Sequence, residues 1–86
     1  MNTYTISIER SAEKDLRKIP LIYLQNLITK IQGLSNIPYP HGCKKLINGD
    51  NYWRIRVSNY RVIYEVAETE KLIRIYKVKH RKNAYK

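Results

Sequence analysis

Cysteine occurs once, at position 43, and phenylalanine not at all. A lone Cys43 excludes an internal disulfide and a metal site built on paired thiolates, which leaves it the role of a small packed residue. Long apolar runs are also missing: none approaches the roughly 20 residues a membrane span needs. The start, Met1-Asn2-Thr3-Tyr4-Thr5, has neither the basic residues nor the apolar stretch of a secretion signal. The expectation is a cytoplasmic protein that does not engage a membrane. Acidic residues are the most informative shortage, with 7 Asp and Glu against 17 Lys and Arg, a formal net charge of +10.

That charge is unevenly spread. Up to Pro40 the chain carries five basic and three acidic residues, net +2, and beyond it twelve and four, net +8. A one-sided basic surface attracts polyanions by releasing their counterions, so nucleic acid is the first partner implied. A membrane surface is the rival polyanion. It is disfavoured because the cations lie among strand-like alternation rather than on an amphipathic helix. With 86 residues, 43% of them apolar, the chain supports one packed core, and a single domain over residues 1–86 is expected.

Tyr4-Thr5-Ile6-Ser7-Ile8 alternates and is rich in β-branched residues, which predicts a first strand with Tyr4, Ile6 and Ile8 on one face. Ser11 is placed to cap a short helix, with Glu13 and Asp15 in its first turn and Ala12, Leu16 and Ile19 on its buried side. Pro20 ends that helix and suits the first turn of a second, whose stripe is Leu21, Leu24, Leu27, Ile28, Ile31 and Leu34. Ser35-Asn36-Ile37-Pro38-Tyr39-Pro40-His41-Gly42 is a breaker-rich loop. His41 reads there as a surface or turn residue.

After the loop the period changes from helical to two. Tyr52-Trp53-Arg54-Ile55-Arg56-Val57 puts Trp53, Ile55 and Val57 on one face and Tyr52, Arg54 and Arg56 on the other. Ser58-Asn59 is a two-residue turn into Tyr60-Arg61-Val62-Ile63-Tyr64-Glu65-Val66, with Tyr60, Val62, Tyr64 and Val66 as core set. Glu68-Thr69-Glu70-Lys71 connects to a last strand over residues 72–79. There Ile73 and Ile75 fall in one phase and Val78 in the other, which a bulge, a strong twist or two-sided burial would each explain. The fold class is α+β: an N-terminal strand, a helical hairpin, then a three-stranded antiparallel meander, with the helices packed on one face of the sheet.

Under that layering Arg54, Arg56 and Arg61 share the uncovered face. Three guanidinium groups there repel one another unless an anion lies between them, and an RNA phosphate would do so. Solvated residues on an ordinary exposed face are the plainer alternative. The use of arginine, which offers phosphate a planar fork, weighs against it. The run Lys79-His80-Arg81-Lys82-Asn83-Ala84-Tyr85-Lys86 adds four basic residues to the same half. Its Tyr85 would either tuck into the domain or stack on a base.

The stretch from Tyr52 through Val66, followed by Val78 through Tyr85 and preceded by Lys45-Leu46, resembles the RelE/ParE toxin superfamily, and the likeness extends over nearly the whole chain. What the resemblance implies is an RelE-type mRNA interferase, the toxin of a type II toxin-antitoxin pair. Such a protein is a ribosome-dependent endoribonuclease that cuts mRNA in the A site and is held inactive by a cognate antitoxin. Its partners would be that antitoxin, mRNA, and the ribosome with its 16S rRNA; no cofactor or metal is implied. By position the catalytic residues would be Arg54, Arg56, Arg61, Arg81 and Tyr85, with Lys44, Lys45, Lys79, His80 and Lys82 contacting RNA. Family members often carry lysine where this chain has Arg54 and Arg56. Arginine cannot act as a base, so these two are assigned to phosphate clamping and transition-state stabilisation.

Metal-free RNA cleavage uses the 2′-hydroxyl as nucleophile and needs a base, an acid and cations. Tyr85 and His80 are the candidates for proton transfer. Tyr85 is preferred, because strand alternation puts His80 on the face opposite Arg81. Two other readings stand beside this one: a ParE-like inhibitor of DNA gyrase without RNA cleavage, and a basic nucleic-acid-binding module whose charge is only electrostatic footing.

Overall fold

In the computed structural model, which describes residues 3–46 and 51–82, the β-branched start forms strand β1 (Thr5–Ile8) and turns at once into helix α1 (Arg10–Arg17). Lys18 closes that helix, and Pro20 sits at the N-cap of α2 (Leu21–Gly33), its carbonyl accepting the amides of Tyr23 and Leu24 at 3.0 Å each. Strands β2 (Lys44–Lys45), β3 (Tyr52–Val57), β4 (Tyr60–Ala67) and β5 (Leu72–His80) follow. Among the described residues the strands form one five-stranded sheet in the order β1-β5-β4-β3-β2. Strand β1 runs parallel to β5, and the remaining pairs are antiparallel.

The core lies between one face of this sheet and the two helices. Ala12, Leu16 and Ile19 from α1 and its end, and Leu27, Ile31 and Leu34 from α2 and its end, meet Ile55, Val57, Val62, Tyr64, Val66, Ile73, Ile75 and Val78. The expected α+β layering, with helices on one face, is therefore what forms. Each fully buried Leu or Ile here contributes roughly 1.5–3 kcal/mol by leaving water. Cys43 packs against the same cluster, half-buried.

The irregular phase of the last strand has a single cause. Ile63 pairs with Lys77 but Tyr64 pairs with Ile75, so Tyr76 is an extra residue in β5. This bulge resets the alternation and lets Ile75 and Val78 both face the core.

Several local expectations are corrected. Ser11 does not cap α1: Glu9 holds the N-cap position with no side-chain cap, and the Ser11 hydroxyl donates to the carbonyl of Tyr76 at 2.6 Å. Asp15 is not in the first turn; its carboxylate accepts the amide of Val78 at 3.0 Å and the ammonium of Lys79 at 3.2 Å. The reason is shared. Strand β1 pairs with β5 only as far as Ile75, so the next backbone groups of β5 need partners, and α1 supplies them from its side chains. Ile8 is exposed where β1 leaves the sheet, and Leu21 is 75% exposed because its turn of α2 extends past the sheet's cover. Tyr60 is half-buried rather than core.

The long loop after α2 is tied to the sheet by aromatic hydroxyls. Tyr64 donates to the carbonyl of Pro38 at 2.8 Å, Tyr39 donates to Glu68, and Tyr4 donates to the same carboxylate at 2.6 Å. The loop then closes with a turn in which the Cys43 amide reaches the Pro40 carbonyl at 3.0 Å and Gly42 takes φ of 90°, the position that favours glycine in a type II turn.

Candidate functional site

With Ile55, Val57, Val62, Tyr64 and Val66 turned to the helices, alternation leaves Arg54, Arg56, Arg61, Ile63 and Glu65 on the other face. Among the described residues neither helix covers that face. The antiparallel register sets Arg56 directly across from Arg61, beside the Ser58-Asn59 turn. Ser58 takes φ of 56°, unusual for a non-glycine residue, which makes the connection tight. The turn has a second use: the carbonyl of Asn59 accepts the backbone amide of Arg81 at 2.7 Å. That bond draws the end of β5 to the tip of the hairpin and brings Arg81 beside the other two arginines. The result is a notch of about 270 Å³ lined by Arg56, Ser58, Asn59, Tyr60, Arg61 and Arg81.

Among the described residues that line the notch, every charged side chain is an arginine. Among the described residues, ion pairs join Arg17 to Glu13, Arg74 to Glu65 and Lys79 to Asp15, and Arg56 and Arg81 have no carboxylate partner. Guanidinium groups stay charged at any pH of interest and offer forked donors to phosphate. Ser58 and Asn59 add polar atoms to the wall. The chemistry of this lining matches an anionic oxygen group such as a phosphodiester.

The structure sorts the other expected residues. Arg54 lies on the same face two residues before Arg56, across from Ile63, and is outside the notch. Lys44 stands opposite Arg54 at the margin of that face, whereas Lys45 stands opposite Trp53 and so belongs to the helix side. Lys79 pairs with Arg61 in register, but its ammonium turns to Asp15 and is held there. His80 pairs with Tyr60, their rings edge to face at 5.3 Å, and lines a different cavity of about 220 Å³ with Asp15, Lys18 and Lys79. Lys82 is exposed, its amide 3.3 Å from Nδ1 of His80. Tyr85 lies outside the described residues.

Ser58, Asn59 and Tyr60 were not singled out for the site by sequence. The available signal was a two-residue turn flanked by Arg56 and Arg61. A short turn brings the strand ends together, so whatever it carries lies beside both arginines.

A family model described as the ParE toxin of type II toxin-antitoxin systems, parDE, matches residues 6–85. The chain belongs to the RelE/ParE toxin superfamily. A protein of Methanocaldococcus jannaschii named as toxin RelE1 is 30% identical to this toxin, with 96% of each chain covered. The crystal structure of the archaeal RelE-RelB complex from Pyrococcus horikoshii superposes with a TM-score of 0.83 at 30% identity, covering 95% of this toxin and 99% of that chain. The RelBE2 toxin-antitoxin complex of Mycobacterium tuberculosis gives 0.81 at 25% identity, with coverage of 91% and 98%. In this toxin the arginine notch therefore sits on a scaffold shared almost end to end with RelE proteins. Among its described residues, no helix is long and apolar enough to cross a membrane.

Proposed function

We propose that this toxin is an endoribonuclease that cuts mRNA in the ribosomal A site and acts in the cytoplasm, where translation takes place. The observation that carries the reading is the notch in which Arg56, Arg61 and Arg81 converge. In the proposed reaction the 2′-hydroxyl of one nucleotide attacks the adjacent phosphorus. The O2′–P bond forms as the 2′ proton passes to the base, the P–O5′ bond breaks as O5′ takes a proton from water, and the products are a 2′,3′-cyclic phosphate and a 5′-hydroxyl end. Arg61 and Arg81 clamp the non-bridging oxygens, and Arg56 adds to the positive field at the equatorial positions. Arg54, Lys44 and Lys82 lie further out and steer the chain of phosphates. The base is assigned to Tyr85, four residues after Arg81 in sequence. His80 supports this assignment by its position, turned to Tyr60 in another cavity. The ribosome would contribute in-line positioning of the nucleophile, an effect worth roughly 7–11 kcal/mol in well-oriented systems.

Relatives of this fold have been crystallised as RelE-RelB complexes, and a RelB-like antitoxin is the proposed cognate partner. A net charge of +10 favours an acidic segment lying across the open face. The exposed side chains of Leu21 and Ile22, 75% and 78% accessible, are available to the apolar part of such a partner.

The second reading, inhibition of DNA gyrase, is favoured by the ParE description of the matching family model. One experiment separates them: induced expression in bacteria with mapping of RNA 5′ ends. Cuts inside translated codons that vanish in Arg61→Ala are the expected result. Growth arrest with DNA damage and no such cuts would transfer the toxin to the gyrase class.

A further inference from the structure

The arginine notch occupies one end of the open face, and the other end has a different chemistry that the cleavage reaction above does not use. Tyr52 on β3 and Tyr76 on β5 lean together across β4, their ring centroids 5.4 Å apart and their planes tilted by 56°. Below them lies Glu65, the partner of Tyr52 in register. Its Oε1 accepts the Tyr76 hydroxyl at 3.2 Å and Nη1 of Arg74 at 3.0 Å. Alternation from the buried Ile73 and Ile75 puts Arg74 and Tyr76 on this side, and Tyr76 is the residue the register skips. Neither ring belongs to the core cluster, and both are half-exposed on the side without helices.

Three properties of this pair suit a nucleobase. Both rings are half-exposed, and the hydroxyl of Tyr76 is anchored to Glu65 before anything binds. Arg74 neutralises Glu65, so a polyanion laid across the face meets no net repulsion there. Burial above all, with help from Tyr52 and Glu65, pushes the Tyr76 hydroxyl up to about 12, so it stays uncharged beside a phosphate chain. From Tyr52 to Arg56 is four residues of extended strand, about 13 Å at the usual rise, with Arg54 between them. Cation, cation and aromatic pair thus lie along one line, the arrangement by which proteins track single-stranded RNA.

We infer that Tyr52 and Tyr76 form a stacking shelf for an unpaired base of the mRNA, a short step along the strand from the phosphate in the Arg56–Arg61–Arg81 notch. The inference rests on the endoribonuclease reading and adds a base-recognising element to it. Purines, with the larger ring area, are the bases such a shelf holds best.

The test measures binding of two short single strands by fluorescence anisotropy at low salt, where a +10 protein associates with any polyanion. One strand is a purine-rich RNA with 2′-O-methyl groups, which cannot be cut because the nucleophile is blocked. The other has the same length and phosphates but no bases. The full toxin should prefer the strand with bases, and Tyr52→Ala combined with Tyr76→Ala should reduce that preference about five- to a hundredfold. Tyr52→Leu with Tyr76→Leu keeps apolar cover over Glu65 and so guards against a folding defect; it should lose the preference equally, while the paired Phe variants retain it. A preference unchanged in the leucine variant overturns the shelf, and so does weaker capture of a co-expressed antitoxin with base preference intact. Arg61→Ala should weaken both strands in parallel. If it weakens neither while the tyrosine effect persists, the nuclease reading fails and the shelf stands.

Discussion

The two ends of the open face are built from the same strands, yet they differ in how many arginines they hold and in what becomes of the charge. At the hairpin end Arg56 and Arg61 face each other across the register, and Arg81 is drawn in by the Asn59 carbonyl. At the opposite end Arg74 meets Glu65 at 3.0 Å, Tyr76 binds the same oxygen, and the surface is aromatic and neutral. A guanidinium given a carboxylate partner becomes part of the scaffold; Arg56 and Arg81, which have none among the described residues, hold their capacity for an external anion.

Breaking the charged end should have the largest effect. Arg61→Ala and Arg81→Ala should each lower mRNA cleavage by about 100- to 1000-fold, the usual cost of removing one donor to a developing oxyanion, with urea midpoints close to that of the parent. Primer extension on translated mRNA checks the first expectation, and cleavage surviving in the double variant removes the proposed site.

Asp15→Ala tests whether the charged end owes its shape to α1. It strands the half-buried amide of Val78 and frees Lys79, so stability should fall by about 1–3 kcal/mol, as for a lost partner of a buried donor. Denaturant unfolding measures it. A loss near zero would mean that water replaces the carboxylate.

Glu65→Gln sharpens the contrast from the other side by leaving Arg74 uncompensated. The salt slope for single-stranded RNA should steepen by about 0.7, one further phosphate contact, at a stability cost of about 1 kcal/mol or less. An unchanged slope would show that Arg74 cannot reach the nucleic acid.

Glu68 stands outside the open face and serves as the control. Hydrogen bonds from Tyr39 first and Tyr4 second hold its carboxyl below the ordinary carboxylate value. A depressed folded value means that its stabilisation is present at neutral pH, begins to fade below the unfolded value and is lost as pH falls through the folded one. Glu68→Gln should therefore flatten the acid limb of the stability profile without altering RNA binding, which melts between pH 7 and pH 3 would show. The smallest effect is expected from Ser58→Gly, which relieves φ of 56° and should stabilise by about 0.5 kcal/mol at most, since glycine also gains freedom in the unfolded chain. Destabilisation there would mean that the Ser58 hydroxyl holds the turn.

Much of this was readable from residue order. The alternation of Trp53, Ile55 and Val57 against Arg54 and Arg56 has a period of two, and a two-residue turn at Ser58-Asn59 leaves little freedom in register, so the meeting of Arg56 with Arg61 followed. The place of His80 opposite Arg81 followed from the same alternation. What failed to show was the traffic between distant segments. Ser11 and Asp15 read as ordinary helix-start residues because nothing near them in sequence reveals that β5 runs out of strand partners beside them. Lys45, one residue from Lys44, fell on the other face because the two-residue strand β2 could only be phased by its pairing with β3. The phase break at Val78 announced an irregularity but not which residue carried it.

Pattern alone determined the layers and the uncovered face, because burial and alternation are local consequences of side-chain type and strand geometry. Tertiary structure decided which arginines act together and which are neutralised. Arg81 reaches the notch through a backbone bond to Asn59, Lys79 is withdrawn by Asp15, and Tyr76 meets Tyr52 across the intervening strand. Each of these depends on a partner far away in the chain, and electrostatic and hydrogen-bonding energies are set by distance in space.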